Sequence, residues 1–452
     1  MMTENQILDY VREHPDQRVK VAIVDIDGVL RGKYISTEKF LSVVQSEMGF
    51  CNVVFGWDMA DVAYENSQYT GWHSGYPDAP ARVDLSSFRM IPWENNVPFF
   101  LCELIDSPKN SAAVCPRNLL KKVIGQAQKS GFTPFFSQEF EWFNFEETPA
   151  SVNDKNFQNL KPLSPGMFGY SILRSTLRND FFKSLFSDLS SFGIPLEGLH
   201  TETGPGVYEA AIAYSGILEA ADRAVLFKSS VKELAYKQGI MATFMAKWDE
   251  NLPGCSGHVH QSLWDKDAAK NLFYDEKDAQ GMSQMMRHYL AGQLHCLPFI
   301  LPMLAPTINS YKRLVEGAWA PTTLTWAVDN RTVALRALPG SKKATRLETR
   351  VVGSDVNPFL AMAACLASGL YGIQHQLALQ EPTVGNGYAD ESHGRLPGNL
   401  QKATEAMKQS PIAKELFGEE FVSHFVASRE WEWQQYGRVV SDWEKRRYFE
   451  II

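Results

Sequence analysis

The sequence lacks the patterns that would assign it to several familiar classes of protein. Its six cysteines, at positions 51, 102, 115, 255, 296 and 365, show no CxxC spacing. That scatter argues against a zinc site or a disulfide framework and predicts reduced, mostly buried thiols of a cytoplasmic protein. No GxxxxGK(S/T) or GxGxxG stretch occurs, so a nucleotide site would have to be built without these loops.

Signals for membranes and for nucleic acid are also missing. The first six residues are polar, and the longest apolar stretches, near 289–308 and 359–373, are interrupted by polar residues, prolines or small residues. Neither stretch is expected to span a bilayer. The formal net charge of -8 argues against general nucleic-acid binding. We therefore predict a cytoplasmic protein with small-molecule substrates and with no nucleic-acid or membrane partner.

The chain is long enough for more than one domain, and its 44% hydrophobic and 21% charged fractions are those of a globular protein. We predict a small N-terminal α+β domain over residues 1–110 and a large α+β catalytic domain over 111–452. A linker is predicted at 106–111. Residues 56–96 combine many Gly, Pro, Asp and aromatic residues with little periodicity, which indicates a long functional loop.

Hydrophobic periodicity predicts the elements of both domains. The expected strands are 20–30, 31–35, 97–105, 132–143, 194–201, 206–214, 241–247 and 257–263. The expected helices are 37–48, 116–130, 174–192, 215–238, 281–297, 357–379, 401–408, 411–416 and 418–436.

Acidic and imidazole side chains recur at two-residue spacing within apolar surroundings. Glu139 and Glu141 lie in one such segment, His258 and His260 in another, and Arg346, Glu348 and Arg350 in a third. In a strand, residues i and i+2 point to the same side, so each set can face one cavity. Glu202 and Glu209 flank the turn Gly204-Pro205-Gly206. Each motif alone is as compatible with a solvated strand face or a surface turn, and only the combination points to a site.

Carboxylates and imidazoles gathered in this way repel one another unless cations lie among them. Five glutamates with one histidine form an oxygen-rich donor set, which suits Mg²⁺ or Mn²⁺ better than zinc. Guanidinium groups bind carboxylates and phosphates in bidentate fashion, and five arginines accompany the acids: Arg313, Arg331, Arg336, Arg346 and Arg350. Cations together with arginines are what phosphoryl transfer requires.

These segments resemble the glutamine synthetase family in order and in spacing. The resemblance extends over nearly the whole chain and includes Ser256 to Leu263, Asn309 to Leu314, Asp329 to Thr332, and Arg346 to Arg350 followed by Asn357-Pro358-Phe359. It implies a β-grasp-like N-terminal domain and a catalytic domain whose curved antiparallel sheet forms a funnel. It also implies a homo-oligomer of stacked hexameric rings, a dodecamer, in which the neighbour's N-terminal domain completes each active site.

The resemblance also implies a role for each site residue. Glu141, Glu202 and Glu209 correspond to ligands of a first metal ion, and Glu139, His258 and Glu348 to ligands of a second ion that holds the ATP phosphates. Arg313 and Arg350 correspond to clamps on the glutamate carboxylates, with Gly254 beside them, and Arg331 to the arginine that stabilises the transferred phosphoryl group. The expected nucleotide contacts are His260, Ser262, Arg336, Lys343 and Arg346.

Three departures from the family pattern lie at the amine and substrate end. Trp319 occupies the place of the glutamate that closes the site and accepts a proton from ammonium, with Glu316 three positions away. The segment 55–61 keeps one aspartate, Asp58, but not the Gly-Ser-Ser that usually follows, and Pro253 replaces an asparagine near the glutamate α-carboxylate. An indole cannot accept a proton, but it can line a pocket for an alkyl or aryl amine.

With these departures the chain resembles the γ-glutamyl-amine ligase branch of the family, which implies a ligase that forms γ-glutamyl phosphate from ATP and glutamate and passes the acyl group to a small amine. Asp58 of a neighbouring subunit is the candidate that binds or deprotonates the amine, and Trp319 is the candidate for its pocket. The alternatives left open are a glutamine synthetase that uses ammonia, a ligase for another carboxylic acid, and a catalytically silent relative, which the presence of all six metal-ligand positions disfavours.

Overall fold

The computed structural model describes residues 2–107 and 110–452. Its N-terminal part is a mixed sheet of order β2-β1-β6-β4-β3, in which β5 and β7 also pair with β6. The strands are β1 (Arg18–Val24), β2 (Leu30–Ser36), β3 (Met48–Cys51), β4 (Asp78–Val83), β5 (Arg89–Ile91), β6 (Val97–Ser107) and β7 (Asn110–Ser111). Two helices accompany them, α1 (Glu4–Glu13) and α2 (Thr37–Val43).

The sheet of this N-terminal part is β-grasp-like. Strands β1 and β2 form an antiparallel hairpin around the turn at Gly28, and β1 runs parallel to the central strand β6. The proposed boundary between two domains stays a prediction. It falls at 106–111, of which residues 108 and 109 lie outside the described residues.

The larger part begins with α3 (Pro116–Lys129) and the long strand β8 (Phe132–Phe145). Its remaining strands are β9 (Leu196–Thr201), β10 (Val207–Ile212), β11 (Ser215–Gly216), β12 (Met241–Thr243), β13 (Val259–Asp265), β14 (Trp326–Val328), β15 (Leu335–Leu338) and β16 (Arg346–Thr349). Its remaining helices are α4 (Pro149–Asp154), α5 (Ile172–Leu177), α6 (Asn179–Ser191), α7 (Ile217–Lys237), α8 (Gln284–Leu304), α9 (Ser310–Arg313), α10 (Pro358–Gln374), α11 (Leu400–Gln409), α12 (Pro411–Phe417), α13 (Glu419–Gly437) and α14 (Asp442–Tyr448).

These strands form a curved sheet of order β14-β15-β16-β13-β8-β10-β9, with β11 and β12 also paired to β8. All pairs are antiparallel except β14 with β15. The even-numbered residues of β8 from Phe136 to Trp142 are buried, whereas the odd-numbered ones are partly accessible. Behind the sheet Phe140 stacks on Phe227 of α7, with ring centroids 5.7 Å apart. The α+β fold class is confirmed.

A buried ionic network joins the two parts of the chain. Arg117 of α3 pairs with Asp84 and Glu103 of the N-terminal part and with Asp222 of α7. The guanidinium is only 2% exposed, so three carboxylates surround a cation that water cannot solvate. Removal of one partner from such a network is strongly destabilising.

Several elements differ from the sequence-based expectations. Helix α1 was not predicted, and the expected loop 56–96 contains β4 and β5. These short strands have little alternation of their own, so their pairing with β6 decides their conformation. The single helix expected at 174–192 is divided into α5 and α6.

Helix α8 continues through Pro298 and Pro302, where the sequence had suggested an end. Two prolines remove two N–H donors from a helix, yet α8 is held against α10 at close range. A Cβ on Gly292 of α8 would lie 2.6 Å from the Cα of Gly372. Across the described part of the chain, the helices are too short or too polar to cross a lipid bilayer.

Candidate active site

A cavity of about 620 Å³ opens on the concave face of the curved sheet. It brings together fourteen of the predicted site residues: Glu139, Glu141, Glu202, Glu209, Gly254, His258, His260, Arg313, Trp319, Arg331, Arg336, Arg346, Glu348 and Arg350. Ser262 and Lys343 line a neighbouring cavity of about 340 Å³, which shares Glu139, His260 and Arg346 with the first. Asp58 lines neither of these cavities in the single chain.

Strand register explains why side chains distant in sequence converge here. Glu209 of β10 lies directly opposite Glu141 of β8. Glu348 of β16 lies opposite His260 of β13 on one side and opposite Arg336 of β15 on the other. The two-residue spacing places each set on one face, and the pairing of the strands brings the sets together.

The first cluster in the cavity combines two glutamates with one histidine. Potential ligand atoms of His200, Glu202 and Glu209 all lie within 4.8 Å of one another. Burial and the charges of neighbouring glutamates, Glu141 foremost, raise the pKa of Glu209 to about 9. Burial and Glu141 also raise the pKa of Glu202. The ionised carboxylates therefore repel one another, and a bound cation would relieve this repulsion.

The second cluster combines carboxylates with imidazoles. Glu139, His260 and Glu348 offer ligand atoms within 4.8 Å of one another. His258 Nδ1 lies 3.2 Å from Glu348 Oε1 and 3.9 Å from Glu139 Oε2. Burial opposes ionisation of Glu348, but His258, His260 and Arg350 lower its pKa to about 2. Both histidines thus reach the carboxylates of this cluster, whereas the resemblance had implied only His258 as a ligand.

The donor atoms fit divalent cations of the Mg²⁺ or Mn²⁺ type. His258 Nε2 and Glu202 Oε2 are buried and have no hydrogen-bond partner among residues 2–107 and 110–452. Carboxylate oxygens joined by one imidazole in the first cluster and by two in the second are an oxygen-rich donor set, which such cations accept. Two such clusters can hold two or more cations side by side.

Four arginines are fixed by contacts at the cavity wall. Arg336 donates to Glu348 at 3.0 Å, and Arg350 donates to Glu348 at 2.6 Å. Arg346 donates to His260 Nδ1 at 3.2 Å. Arg313 is buried and donates to the carbonyls of Arg350 and Val351. These contacts hold the guanidinium groups in one orientation before any anion binds, which reduces the entropic cost of binding.

Arg331 differs from Arg313, Arg336 and Arg350 because its side chain is exposed at the cavity. An accessible guanidinium can meet a charge that develops on a bound substrate. Gly254 has a steric role, since a Cβ at this position would lie 2.7 Å from Arg313 Cγ and 2.6 Å from the carbonyl oxygen of Ala246. Only glycine leaves room for the Arg313 side chain to pass.

Trp319 lies on the loop between α9 and β14, at the rim of the cavity. Its side chain is 62% exposed, its φ is +58°, and its carbonyl lies 3.5 Å from an Arg350 nitrogen. Glu316 of the same loop is paired with Arg395 at 2.8 Å and does not line the cavity. Of these two residues, Trp319 and not Glu316 therefore lines the cavity.

Asp58 is engaged within its own chain. One carboxylate oxygen accepts the backbone N–H groups of Ala60 and Val62, and the other accepts the indole N–H of Trp431 in α13 at 2.9 Å. These bonds shape the turn 58–62 and tie it to the C-terminal helices. The predicted role of Asp58 in a neighbouring subunit's site stays a prediction.

Sequence reasoning missed three features of the site. Tyr170 stacks on His200 with ring centroids 4.3 Å apart, and both line the main cavity. His200 lies two residues before Glu202, so the same i, i+2 rule could have found it. In the smaller cavity Phe135 contacts Tyr214 and Trp264 in edge-to-face geometry, which gives an aromatic slot. These three aromatics come from different strands and loops, and no local signal joins them.

Two clusters able to hold cations, fixed arginines and an aromatic slot suit the binding of phosphate and carboxylate groups. Comparisons with known proteins agree. Residues 113–448 match the family model described as glutamine synthetase, catalytic domain. The fold also matches the structure of a GmaS/ADP complex with a TM-score of 0.85 and 26% identity, over 99% of this chain and 100% of that one.

Three curated relatives extend over nearly the whole chain. Type-1 glutamine synthetase 2 of Dictyostelium discoideum is 54% identical over 456 residues, which cover 100% of this chain and 87% of that protein. Glutamate–isopropylamine ligase of Pseudomonas sp is 36% identical, with coverage of 99% and 98%. Gamma-glutamylethanolamide synthetase of Streptomyces coelicolor is 34% identical, with coverage of 96% and 92%.

The chain belongs to the glutamine synthetase family. It is an ATP-dependent glutamate ligase of the glutamine synthetase type. Family members use ATP and divalent metal ions, and they assemble into oligomers. The sequence-based assignments of family, fold class and enzyme class are thereby confirmed.

Proposed function

We propose that this enzyme joins glutamate to a small primary amine, with ATP as the source of activation. The observation that carries the proposal is the contrast within one cavity. The cation clusters and arginines at one end are complete, whereas an exposed indole, Trp319, stands at the rim. Two relatives that align along nearly the whole chain are named as a glutamate–isopropylamine ligase and a gamma-glutamylethanolamide synthetase.

We propose Glu141, Glu202 and Glu209 as ligands of one cation and Glu139, His258 and Glu348 as ligands of another. When bound, these cations would neutralise charge on the nucleotide phosphates and on the acidic residues. Arg313 and Arg350 bind the glutamate carboxylates, and Arg331 stabilises the phosphoryl group during its transfer. The nucleobase occupies the aromatic slot, with Ser262 and Lys343 at its edge and Arg336 and Arg346 towards the phosphates.

The chemistry proceeds through an acyl phosphate. The γ-phosphoryl group moves to the side-chain carboxylate of glutamate, so that a P–O bond to ADP breaks and a new P–O bond to the carboxylate forms. The nitrogen of the amine then attacks the activated carbonyl carbon, and inorganic phosphate leaves. An alkylammonium ion has a pKa of about 10, so about one molecule in a thousand is nucleophilic at pH 7. The site must therefore bind the cation and remove its proton.

Trp319 suits an alkylammonium ion in two ways. Its indole face attracts a cation, and its ring offers apolar area to the alkyl group. The acidic cluster of the same cavity, where Tyr170 stacks on His200, supplies negative charge. We further propose that the enzyme assembles as stacked hexameric rings. We also propose a cytoplasmic location, which six free cysteines, five of them buried, support.

One alternative has support of its own. The relative that is 54% identical is named as a glutamine synthetase, so ammonia is the competing nucleophile. Phosphate release from ATP and glutamate, measured with Mg²⁺ or Mn²⁺ across methylamine, isopropylamine, ethanolamine, putrescine and ammonia, separates the two functions. We expect an alkylamine to give the highest kcat/KM. A clear preference for ammonia would establish the alternative, and no amine-dependent release at all would refute both.

A further inference from the structure

Asp355 is a buried carboxylate that the proposed mechanism does not use. It lies on the segment between β16 and α10, five residues beyond Arg350. Its Oδ2 atom accepts the hydroxyl groups of Thr307 at 2.7 Å and Ser310 at 2.6 Å. Its Oδ1 atom is buried and has no hydrogen-bond partner within the part of the chain that the structure describes.

The two hydroxyl groups that donate to Asp355 also form the turn that leads into the one-turn helix α9. The Thr307 N–H donates to Ser310 Oγ, and the Ser310 N–H donates to Thr307 Oγ1, both at 3.0 Å. The residue at the N-cap position, Asn309, makes no side-chain cap of its own. A helix of four residues has little intrinsic stability, so its geometry depends on such bonds.

Helix α9 ends at Arg313, and the same two segments meet again there. Arg313 donates to the carbonyls of Arg350 and Val351, at 3.0 and 3.1 Å. The segment 307–313 is therefore bonded to the segment 350–355 at both of its ends. Asp355 also contributes charge, because burial lowers the pKa of Arg313 while the carboxylates of Glu141 and Asp355 oppose that effect.

We infer that Asp355 is a positioning residue for glutamate binding, which acts by fixing α9 so that Arg313 projects into the cavity. This inference rests on the proposed function, in which Arg313 binds a carboxylate of the substrate. Loss of the acceptor would remove the carboxylate to which both hydroxyls donate, leaving only their contacts within the turn, and would allow the turn to shift. A shift of even a fraction of an ångström would misplace the guanidinium relative to its anion.

Steady-state kinetics of Asp355→Ala and Asp355→Asn test the inference. The alanine variant is expected to raise the KM for glutamate about tenfold and to leave the KM for ATP within about twofold. The asparagine variant retains an oxygen that accepts both hydroxyls, so we expect it to remain within about threefold of wild type. Asp222→Asn, in the Arg117 network, is the matched control for a buried aspartate; it should lower stability but keep the KM for glutamate.

Three results would overturn the inference: an unchanged glutamate KM in Asp355→Ala, equal rises in the two KM values, or an equal rise in the Asp222→Asn control. If Asp355→Ala does not fold, Thr307→Val replaces it, because this variant removes one of the two hydroxyls. We expect it to raise the glutamate KM about threefold, and no change would refute the inference.

Failure of the proposed function would appear differently, as an absence of glutamate-dependent phosphate release in the wild type. The positioning role then has a structural test that needs no activity. A crystal structure of Asp355→Ala, or of Thr307→Val, in which Arg313 keeps both bonds to the carbonyls of residues 350 and 351 would contradict it.

Discussion

Replacement of Glu209 by glutamine should stabilise the cation-free enzyme and weaken its response to cations. Glu209 lies opposite Glu141 and within reach of Glu202, and its pKa rises from an ordinary 4.5 to about 9. A carboxyl group whose pKa is higher in the folded state binds a proton on folding between these two values. Stability therefore falls as pH rises from 4.5 towards 9, because the unfolded chain gives up that proton first.

The pKa difference sets the size of the effect. At pH 7.5 the interval above 4.5 is three pH units, which corresponds to at most about 4 kcal/mol at 1.36 kcal/mol per unit. The side chain is 17% exposed, so water screens part of this repulsion. We expect Glu209→Gln to raise the free energy of unfolding by about 1–2 kcal/mol at pH 7.5. The gain should shrink towards zero as pH falls to 4.5.

In the presence of bound cations, wild type should become more stable to unfolding than Glu209→Gln. We expect Mn²⁺ to bind the ionised cluster and to stabilise the native state by mass action, whereas glutamine supplies a weaker ligand. Urea unfolding in EDTA and in Mn²⁺, at pH 5.5 and 7.5, measures both effects. Glu38→Gln, on the exposed first turn of α2, is the control and should stay within about 0.5 kcal/mol of wild type. The reasoning is refuted if Glu209→Gln is no more stable than wild type in EDTA, or if Mn²⁺ stabilises both proteins equally.

Three further predictions concern the nucleophile, the phosphoryl group and a partly buried lysine. Trp319→Glu should raise kcat/KM for ammonia relative to methylamine about tenfold, whereas Trp319→Phe should keep the amine preference; an unchanged amine profile in the glutamate variant would exclude the indole pocket. Arg331→Ala should lower kcat about 100-fold and change the KM for ATP only a few-fold. A large rise in the KM for ATP with a normal kcat would instead show that Arg331 binds ATP in the ground state. Burial and Lys232 lower the pKa of Lys228 to about 7. The folded protein therefore binds fewer protons than the unfolded chain between pH 7 and 10.5. Its stability is expected to increase as pH rises through that range. Lys228→Met should therefore stabilise the protein more at pH 7 than at pH 10, and urea unfolding that shows the same difference at both pH values would contradict this assignment.

Strand β8 is an element whose side-chain orientation could be predicted from local sequence pattern. Alternation along Phe136 to Trp142 predicts that Glu139 and Glu141 share a face, and the structure has them so. The same rule applies to His258 with His260 in β13. Hydrophobic periodicity also predicts α3, α7 and α10 to within a few residues. These predictions succeed because strand and helix periodicities are properties of neighbouring residues.

Other features depend on residues that are far apart in the sequence. Strands β4 and β5 exist because β6 offers them backbone partners, and α8 passes through two prolines because α10 packs against it. Asp58 carries no signal that would reveal Trp431 as its partner, 373 positions away. Such contacts are set by packing between elements, which no window of sequence contains.

The sequence by itself determined which residue types were available to the site, and strand alternation determined which of them share a face. Only the tertiary structure decided that Glu209 lies opposite Glu141, that His200 and Tyr170 join them, and that Glu316 is occupied by Arg395 while Trp319 faces the cavity. Alternation is fixed by bond geometry along one chain segment. Register and the meeting of separate segments are fixed by the packing and hydrogen bonding of the whole sheet.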